Sequence, residues 1–139
     1  MSNLAKTKVV FELVTPTALA VSEEVDMVVV PGIEGDFGVL PGHTPVLTNI
    51  RPGVICVYTG KDITKSLFVE GGFAEANSAG CTVLAEGATE VFRISAEDAQ
   101  ARLTAARDAL AKLDDASTNN EVQVAEAMLM AVGRNEVQH

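Results

Sequence analysis

Up to about residue 88, short apolar runs alternate with turn signals. Val9 to Val14 ends at Thr15-Pro16, Ala18 to Val21 at Ser22-Glu23-Glu24, Val25 to Val30 at Pro31-Gly32, and Phe37 to Leu40 at Pro41-Gly42. Val46 to Ile50 stops at Pro52-Gly53, and Val54 to Tyr58 at Thr59-Gly60-Lys61-Asp62. Ile63 to Val69, Phe73 to Ala76 and Cys81 to Ala85 complete the series, separated by Gly71-Gly72 and Asn77-Ser78-Ala79-Gly80. Turn signals every 8 to 12 residues between β-branched runs predict about nine to ten short strands, closed into a sandwich or flattened barrel.

Beyond Ile94 the period changes. Ser95-Ala96-Glu97-Asp98 is a capping-box pattern, with Ser95 placed to accept from the backbone N–H three residues on. Ala99, Leu103, Ala106, Leu110 and Leu113 then recur at steps of four and three, which draws one narrow stripe along a helix. Asp114-Asp115-Ala116-Ser117 breaks the pattern, and Thr118-Asn119-Asn120-Glu121 offers a second capping box. Val122, Ala125, Leu129 and Val132 repeat the spacing until Gly133, where the run is expected to end. Two short helices with one seam each predict an antiparallel hairpin, held weakly to the strands and the more mobile part of the molecule.

Composition sharpens this division. All five prolines and ten of the eleven glycines precede position 88, and Ala takes over after Ile94. Gly, Pro and β-branched residues favour strands and turns, whereas Ala favours helix. The fold class is therefore α+β, with an all-β unit over 1–88 and a helical hairpin over 89–139. Aromatics make up 4% of the chain and Trp is absent, so the core must be aliphatic, much of it valine.

Charge and cysteine use exclude several classes. A net charge of -9 leaves nothing to gain from displacing phosphate counterions, so nucleic acid is not a partner. The same charge disfavours anionic lipid, and no run of 18 apolar residues exists to span a bilayer. Met1 to Val10 lacks an apolar signal region, which points to a chain kept in the cytoplasm or its organellar equivalent. Cys56 and Cys81 both sit in apolar stretches and read as buried free thiols.

Catalytic patterns are missing. There is no phosphate-binding P-loop, no G-x-S-x-G elbow and no C-x-x-C. Gly32, Gly35 and Gly38 form G-x-x-G-x-x-G, which is not the dinucleotide fingerprint and reads as turn geometry. Of two histidines, His139 is terminal and His43 lies in Pro41-Gly42-His43-Thr44-Pro45. Glu34 and Asp36 are close to His43 in sequence, but no nucleophile accompanies them, and no residues cluster at metal-ligand spacing. No cofactor and no metal are expected. The chain reads as a protein that binds other proteins.

The stretch from Pro31 through Gly32-Ile33-Glu34-Gly35-Asp36-Phe37-Gly38-Val39-Leu40-Pro41-Gly42-His43-Thr44-Pro45 to Leu47 resembles the signature of the epsilon subunit family of rotary ATP synthases. Arg51-Pro52-Gly53 follows at that family's spacing, and Glu70 to Glu75 with Thr82 to Ala85 are similar to its second signature. The resemblance runs the length of the chain. It implies a non-catalytic subunit at the foot of the central stalk of a proton-translocating ATP synthase. Its partners would be the gamma subunit and the c ring, with the alpha/beta head reached through the hairpin. The loop facing gamma and the ring would comprise Glu34, Gly35, Asp36, Phe37, Gly38, Pro41, Gly42 and His43. The implied place is the cytoplasmic face of a bacterial inner membrane, as a peripheral protein; the mitochondrial homologue is called delta.

Two departures from the family pattern stand out. Many bacterial relatives open the first helix with Ile/Leu-Asp-x-x-Arg-Ala, which helps bind ATP; here the stretch is Ile94-Ser95-Ala96-Glu97-Asp98-Ala99. Ser95 replaces the acid and Asp98 replaces the arginine, so phosphate would meet repulsion instead of attraction. In self-inhibiting relatives the second helix is basic. Residues 119–139 here hold Arg134 alone against Glu121, Glu126 and Glu136, and from residue 89 onward there are five basic and nine acidic side chains. Strong self-inhibition is not expected. The competing readings are a stand-alone acidic β-sandwich binding module and a small hydrolase or isomerase using His43.

Overall fold

The computed structural model describes residues 8–113 and 115–137. Residues 1–7, Asp114, Gln138 and His139, with the side chains of residues 134–137, lie outside the described residues. The readings of the chain start, of Asp114, of His139 and of the Arg134 and Glu136 charges fall there.

Ten strands come first: β1 (Val9–Thr15), β2 (Ala18–Val25), β3 (Met27–Gly32), β4 (Gly35–Val39), β5 (Val46–Ile50), β6 (Gly53–Thr59), β7 (Asp62–Val69), β8 (Gly72–Asn77), β9 (Gly80–Ala85) and β10 (Ala88–Glu90). A 3-10 turn at Val91–Arg93 leads to α1 (Ala96–Lys112) and α2 (Ala116–Val137). The strands hydrogen-bond in the order β10-β7-β6-β3-β5-β8-β9-β1-β2, with β4 also on β3. Every pairing is antiparallel except β1 with β9. A single residue pair, Gly32 with Ile50, joins β3 to β5, so the sheet turns a corner there. The result is two layers, β10-β7-β6-β3-β4 and β5-β8-β9-β1-β2. Lys65 of β7 reaches Glu23 of β2 at 3.1 Å, tying the layers together at a second place and nearly closing the barrel.

Period-two burial drives this arrangement. In β1 Val9, Phe11 and Leu13 are buried while Val10 and Glu12 face outward. The core between the layers has seventeen buried residues, of which eight are valine, alongside Phe11, Leu13, Ile50, Ile55, Leu67, Ala74, Ala76, Cys81 and Ala85. Valine suits this site because its branched Cβ packs on a pleated surface at little rotamer cost.

Several strand boundaries differ from expectation, and three of the differences have a clear physical reason. β2 runs through Ser22-Glu23-Glu24 to Val25, because it is an edge strand whose polar side chains stay near solvent. β3 runs through Pro31-Gly32. Pro31 stands at a strand end, where a missing donor costs at most one ladder bond, and its carbonyl accepts from Arg51 N–H (2.9 Å). The three-residue β10 pairs with β7 through Leu67, Phe68 and Val69, and was too short to show a period.

The helices also need two corrections. Ser95 caps α1 as expected, its hydroxyl accepting from Asp98 N–H (3.0 Å). The cap of α2, however, is Asp115 and not Thr118: Thr118 N–H donates to Asp115 Oδ1 (2.9 Å), and Asp115 N–H donates to Thr118 Oγ1 (3.2 Å). The reciprocal box sits three residues earlier because Thr118 serves as its third helical position. Gly133 does not end α2, which continues to Val137; a glycine inside a helix costs only about 1 kcal/mol.

One stripe on α2 turns out to be two. Ala125, with Val122 and Leu129 beside it, meets Leu103 and Ala106 of α1. Val124, Met128, Ala131 and Val132 instead pack with Phe68, Val91 and Ala99. Phe68 points out of its layer, between the inward-facing Leu67 and Val69, and is fully buried beneath the hairpin. The hairpin therefore covers the outer face of one layer and leaves that of the other bare.

Candidate functional site

The stretch from Glu34 to His43 lies beyond the corner and is exposed at Glu34, Gly35, Asp36, Gly38, Leu40 and Gly42, while Val39 is buried in the core. Gly32 and Gly35 flank the two-residue turn Ile33-Glu34 that joins β3 to β4. A Cβ at Gly32 would lie 2.8 Å from the Gly35 carbonyl oxygen, so the turn closes this tightly only with glycine there. Gly38 is no turn residue; it lies within β4 opposite Val29. The turn reading thus holds for two of the three glycines.

Behind the turn, Asp36 is exposed and bound by Arg51, whose Nη2 donates to Asp36 Oδ1 (2.5 Å). Arg51 Nη1 donates to the Gly32 carbonyl (2.5 Å). Phe37 is half-buried, packs on the sandwich core and holds its ring 6.5 Å from the His43 ring at a 42° tilt. After Leu40 the chain turns through Pro41 and Gly42, where Gly42 adopts φ +80°, a conformation that other residues rarely take. His43 N–H donates to the Leu40 carbonyl (3.2 Å), and Nδ1 meets the Thr44 carbonyl (2.5 Å). The loop is therefore fixed at both ends. Its outward groups are Glu34, the Asp36–Arg51 pair, Leu40 and part of His43, with Ile33 and Leu40 more than half exposed.

Asp36 accepts from Arg51, and the His43 ring bonds a backbone carbonyl, so neither is arranged as an oriented base for a substrate. Among the described residues no three His, Cys, Asp or Glu side chains gather as a metal site. Ser95 and Asp98 are joined by the helix cap, with no arginine at the Asp98 position to hold a phosphate.

Two features escaped the sequence. The bare layer carries an apolar row across four strands: Phe73 pairs with Leu84, Leu84 with Val14, and Val14 with Leu19. Phe73, Leu84 and Leu19 are each more than half exposed. Each is a lone apolar residue at an outward position, and only the strand order makes them neighbours. The second feature is Arg102, on α1. It bonds Glu121 of α2 (Nε to Oε1, 2.6 Å) and Glu70 at the end of β7 (Nη2 to Oε1, 2.9 Å). Those two carboxylates, Glu121 first, hold the guanidinium more firmly protonated than usual.

A β-sandwich carrying a docked helical hairpin, with an exposed loop fixed at the corner between its layers, is the class of fold these residues define. Residues 8–91 match the family model of the ATP synthase delta/epsilon chain β-sandwich domain. The ATP synthase epsilon chain of Paramagnetospirillum magneticum is 51% identical over 132 residues, covering 90% of this chain and 97% of that one. That of Rhodospirillum rubrum is 46% identical over 125 residues, covering 87% and 93%. The fold is shared with a chain from a structure of the Euglena gracilis mitochondrial ATP synthase (OSCP, F1 and c ring), with a TM-score of 0.77 at 20% identity over 100% of this chain and 86% of that one. It is shared also with a chain of the Tetrahymena thermophila ATP synthase central stalk and c ring, with a TM-score of 0.57 at 13% identity, over 94% and 98%. The chain belongs to the ATP synthase delta/epsilon family. It is a non-catalytic subunit of the ATP synthase, and no helix among the described residues is long and apolar enough to cross a membrane.

Proposed function

We propose that residues 34 to 43 are the contact with the c ring, and that the bare layer's apolar row docks on the gamma subunit. The observation that carries this reading is the division of the surface. One outer face is sealed by α2, the opposite face exposes Phe73, Leu84 and Leu19, and the stiff loop projects from the corner between the layers. Contiguous exposed apolar side chains on a soluble domain favour a protein partner. A loop already fixed by Arg51, Gly42 and the His43 bonds loses little entropy when it binds, which a torque-bearing contact requires. Turning with gamma, the subunit links proton flow through the ring to synthesis in the head. Its place is then the cytoplasmic face of a bacterial membrane.

We read the chain as two units, 1–88 and 89–139, with the second acting as a weak regulator that reaches the alpha/beta head. Support comes from charge. Arg93 pairs with Glu90, Arg102 with Glu70 and Glu121, and Arg107 with Glu126, so these arginines already face carboxylates of their own chain. An acidic partner would have to compete for them. ATP gains no purchase at Ser95 and Asp98, and calorimetry should show no saturable heat at micromolar ATP.

The test of the main reading is the double substitution Asp36→Asn and His43→Ala in the assembled complex. Protons pumped per ATP hydrolysed should fall while hydrolysis itself persists. An unchanged ratio would remove the loop from the ring contact.

A further inference from the structure

We propose that Arg51 is a positioning residue for the ring-facing loop, clamping the β3–β4 tip and presenting Asp36 as half of an ion pair. The inference rests on the reading of residues 34 to 43 as a ring contact and adds a residue outside that stretch. Arg51 directly follows β5 at the corner where the layers meet. Its backbone is anchored there, with N–H donating to the Pro31 carbonyl (2.9 Å), while Ile33 N–H donates to the Asn49 carbonyl (3.0 Å). From that anchor the guanidinium reaches forward with two separate donors. Nη1 bonds the Gly32 carbonyl and Nη2 bonds Asp36 Oδ1, both at 2.5 Å. One planar group therefore spans both strands of the hairpin, a carbonyl on β3 and a carboxylate on β4. A lysine ammonium, a compact point charge, does not reproduce a planar two-donor fork.

The side chain stays 41% exposed and Asp36 53% exposed, so the pair is part of the surface that meets the ring. What a partner encounters at Asp36 is a neutralised dipole of fixed direction and not a bare carboxylate. In a chain of net charge -9 this pairing offsets the charge of Asp36 and leaves Glu34 as the acidic group at the tip. Arg51 and Asp36 also help line a cleft of about 320 Å³, together with Ala127, Met130 and Ala131 of α2. The docked hairpin thus borders the clamp.

A double-mutant cycle with two readouts tests the assignment: Arg51→Gln, Asp36→Asn, the pair together, and Arg51→Lys. In the full chain, amide exchange at the β3–β4 tip should quicken roughly two- to fivefold in Arg51→Gln, the scale of an exposed ion pair. Adding Asp36→Asn should bring less than the sum of the single effects, and Arg51→Lys should recover only part of the protection. In the assembled complex, Arg51→Gln should lower protons pumped per ATP hydrolysed, with hydrolysis retained. Normal tip exchange in Arg51→Gln, or fully additive effects, would overturn the clamp whatever the pumping ratio. Quickened, non-additive exchange with normal pumping in all four variants would keep the clamp and remove the ring-contact reading.

Discussion

The sandwich and the hairpin are held by different means, although both descend from simple repeats in one chain. The sandwich is closed by a large valine-rich core to which nearly every strand contributes, so its contacts are long-range and support one another. The hairpin rests on two small clusters, Leu103-Ala106-Ala125 between the helices and Val124-Met128-Ala131-Val132 against Phe68 and Val91. Alanine lets helices approach closely but removes little surface from water, so each contact contributes little. The hairpin adds a polar fastening in the Arg102 fork to Glu70 and Glu121. A stiff platform with a lightly fastened appendage fits the proposed role, in which the loop bears torque and the helices shift.

The largest effects should separate the two regions most clearly. Phe11→Ala opens a cavity in the sandwich and should cost about 3–5 kcal/mol, lowering urea stability as seen by every probe. Leu103→Ala should cost about 2–3 kcal/mol, but mainly to the hairpin, with amide protection lost over α1 and α2 and kept in β1 and β9. Equal loss in both regions would mean the chain unfolds as one unit.

Alkaline pH should act through the sandwich core. Burial pushes the Cys81 thiol up to about 12 from an ordinary 9.0. Above pH 9 the unfolded chain sheds this proton and the folded chain keeps it, so stability is complete below 9 and falls as pH rises toward 12. At pH 10.5 the loss should be about 1–2 kcal/mol, read as the difference in urea midpoint slope between the natural chain and Cys81→Ala.

Arg102→Ala should release the hairpin by about 1 kcal/mol, discounted for partial exposure, and 1 M salt should weaken the natural contact in the same direction. Proteolysis within α2, at constant sandwich protection, would read it out. The smallest effect should come from acid. Hydrogen bonds from Thr118 N–H and Oγ1 hold the Asp115 carboxyl below its ordinary range. Its contribution is present above the ordinary carboxylate range and lost as pH falls through the lowered value, fraying the start of α2; Asp115→Ala should abolish that pH dependence.

Much of this fold was legible in the chain. Turn residues punctuate the apolar runs, so about nine strands could be read directly, and Ser95 announced the start of α1. What stayed hidden depended on contacts between distant residues. Thr118 could cap a helix or be capped by Asp115, and local pattern does not choose between them. The second stripe of α2 was invisible because Val124, Met128 and Ala131 gain meaning only when Phe68 turns outward beneath them. In the candidate site, the loop's residues were visible as a motif. The bond from Arg51 to Asp36, fifteen positions away, required the corner between the layers. The apolar row from Phe73 to Leu19 likewise required the parallel pairing of β1 with β9.

The most direct measurement is co-purification. The chain would be tagged at its C-terminus, membranes solubilised gently, and the accompanying proteins identified. Recovery of gamma, alpha, beta and c subunits with ATPase activity is the expected result. A clean monomer with no membrane partners would contradict the rotor role and leave a stand-alone acidic β-sandwich that binds something else.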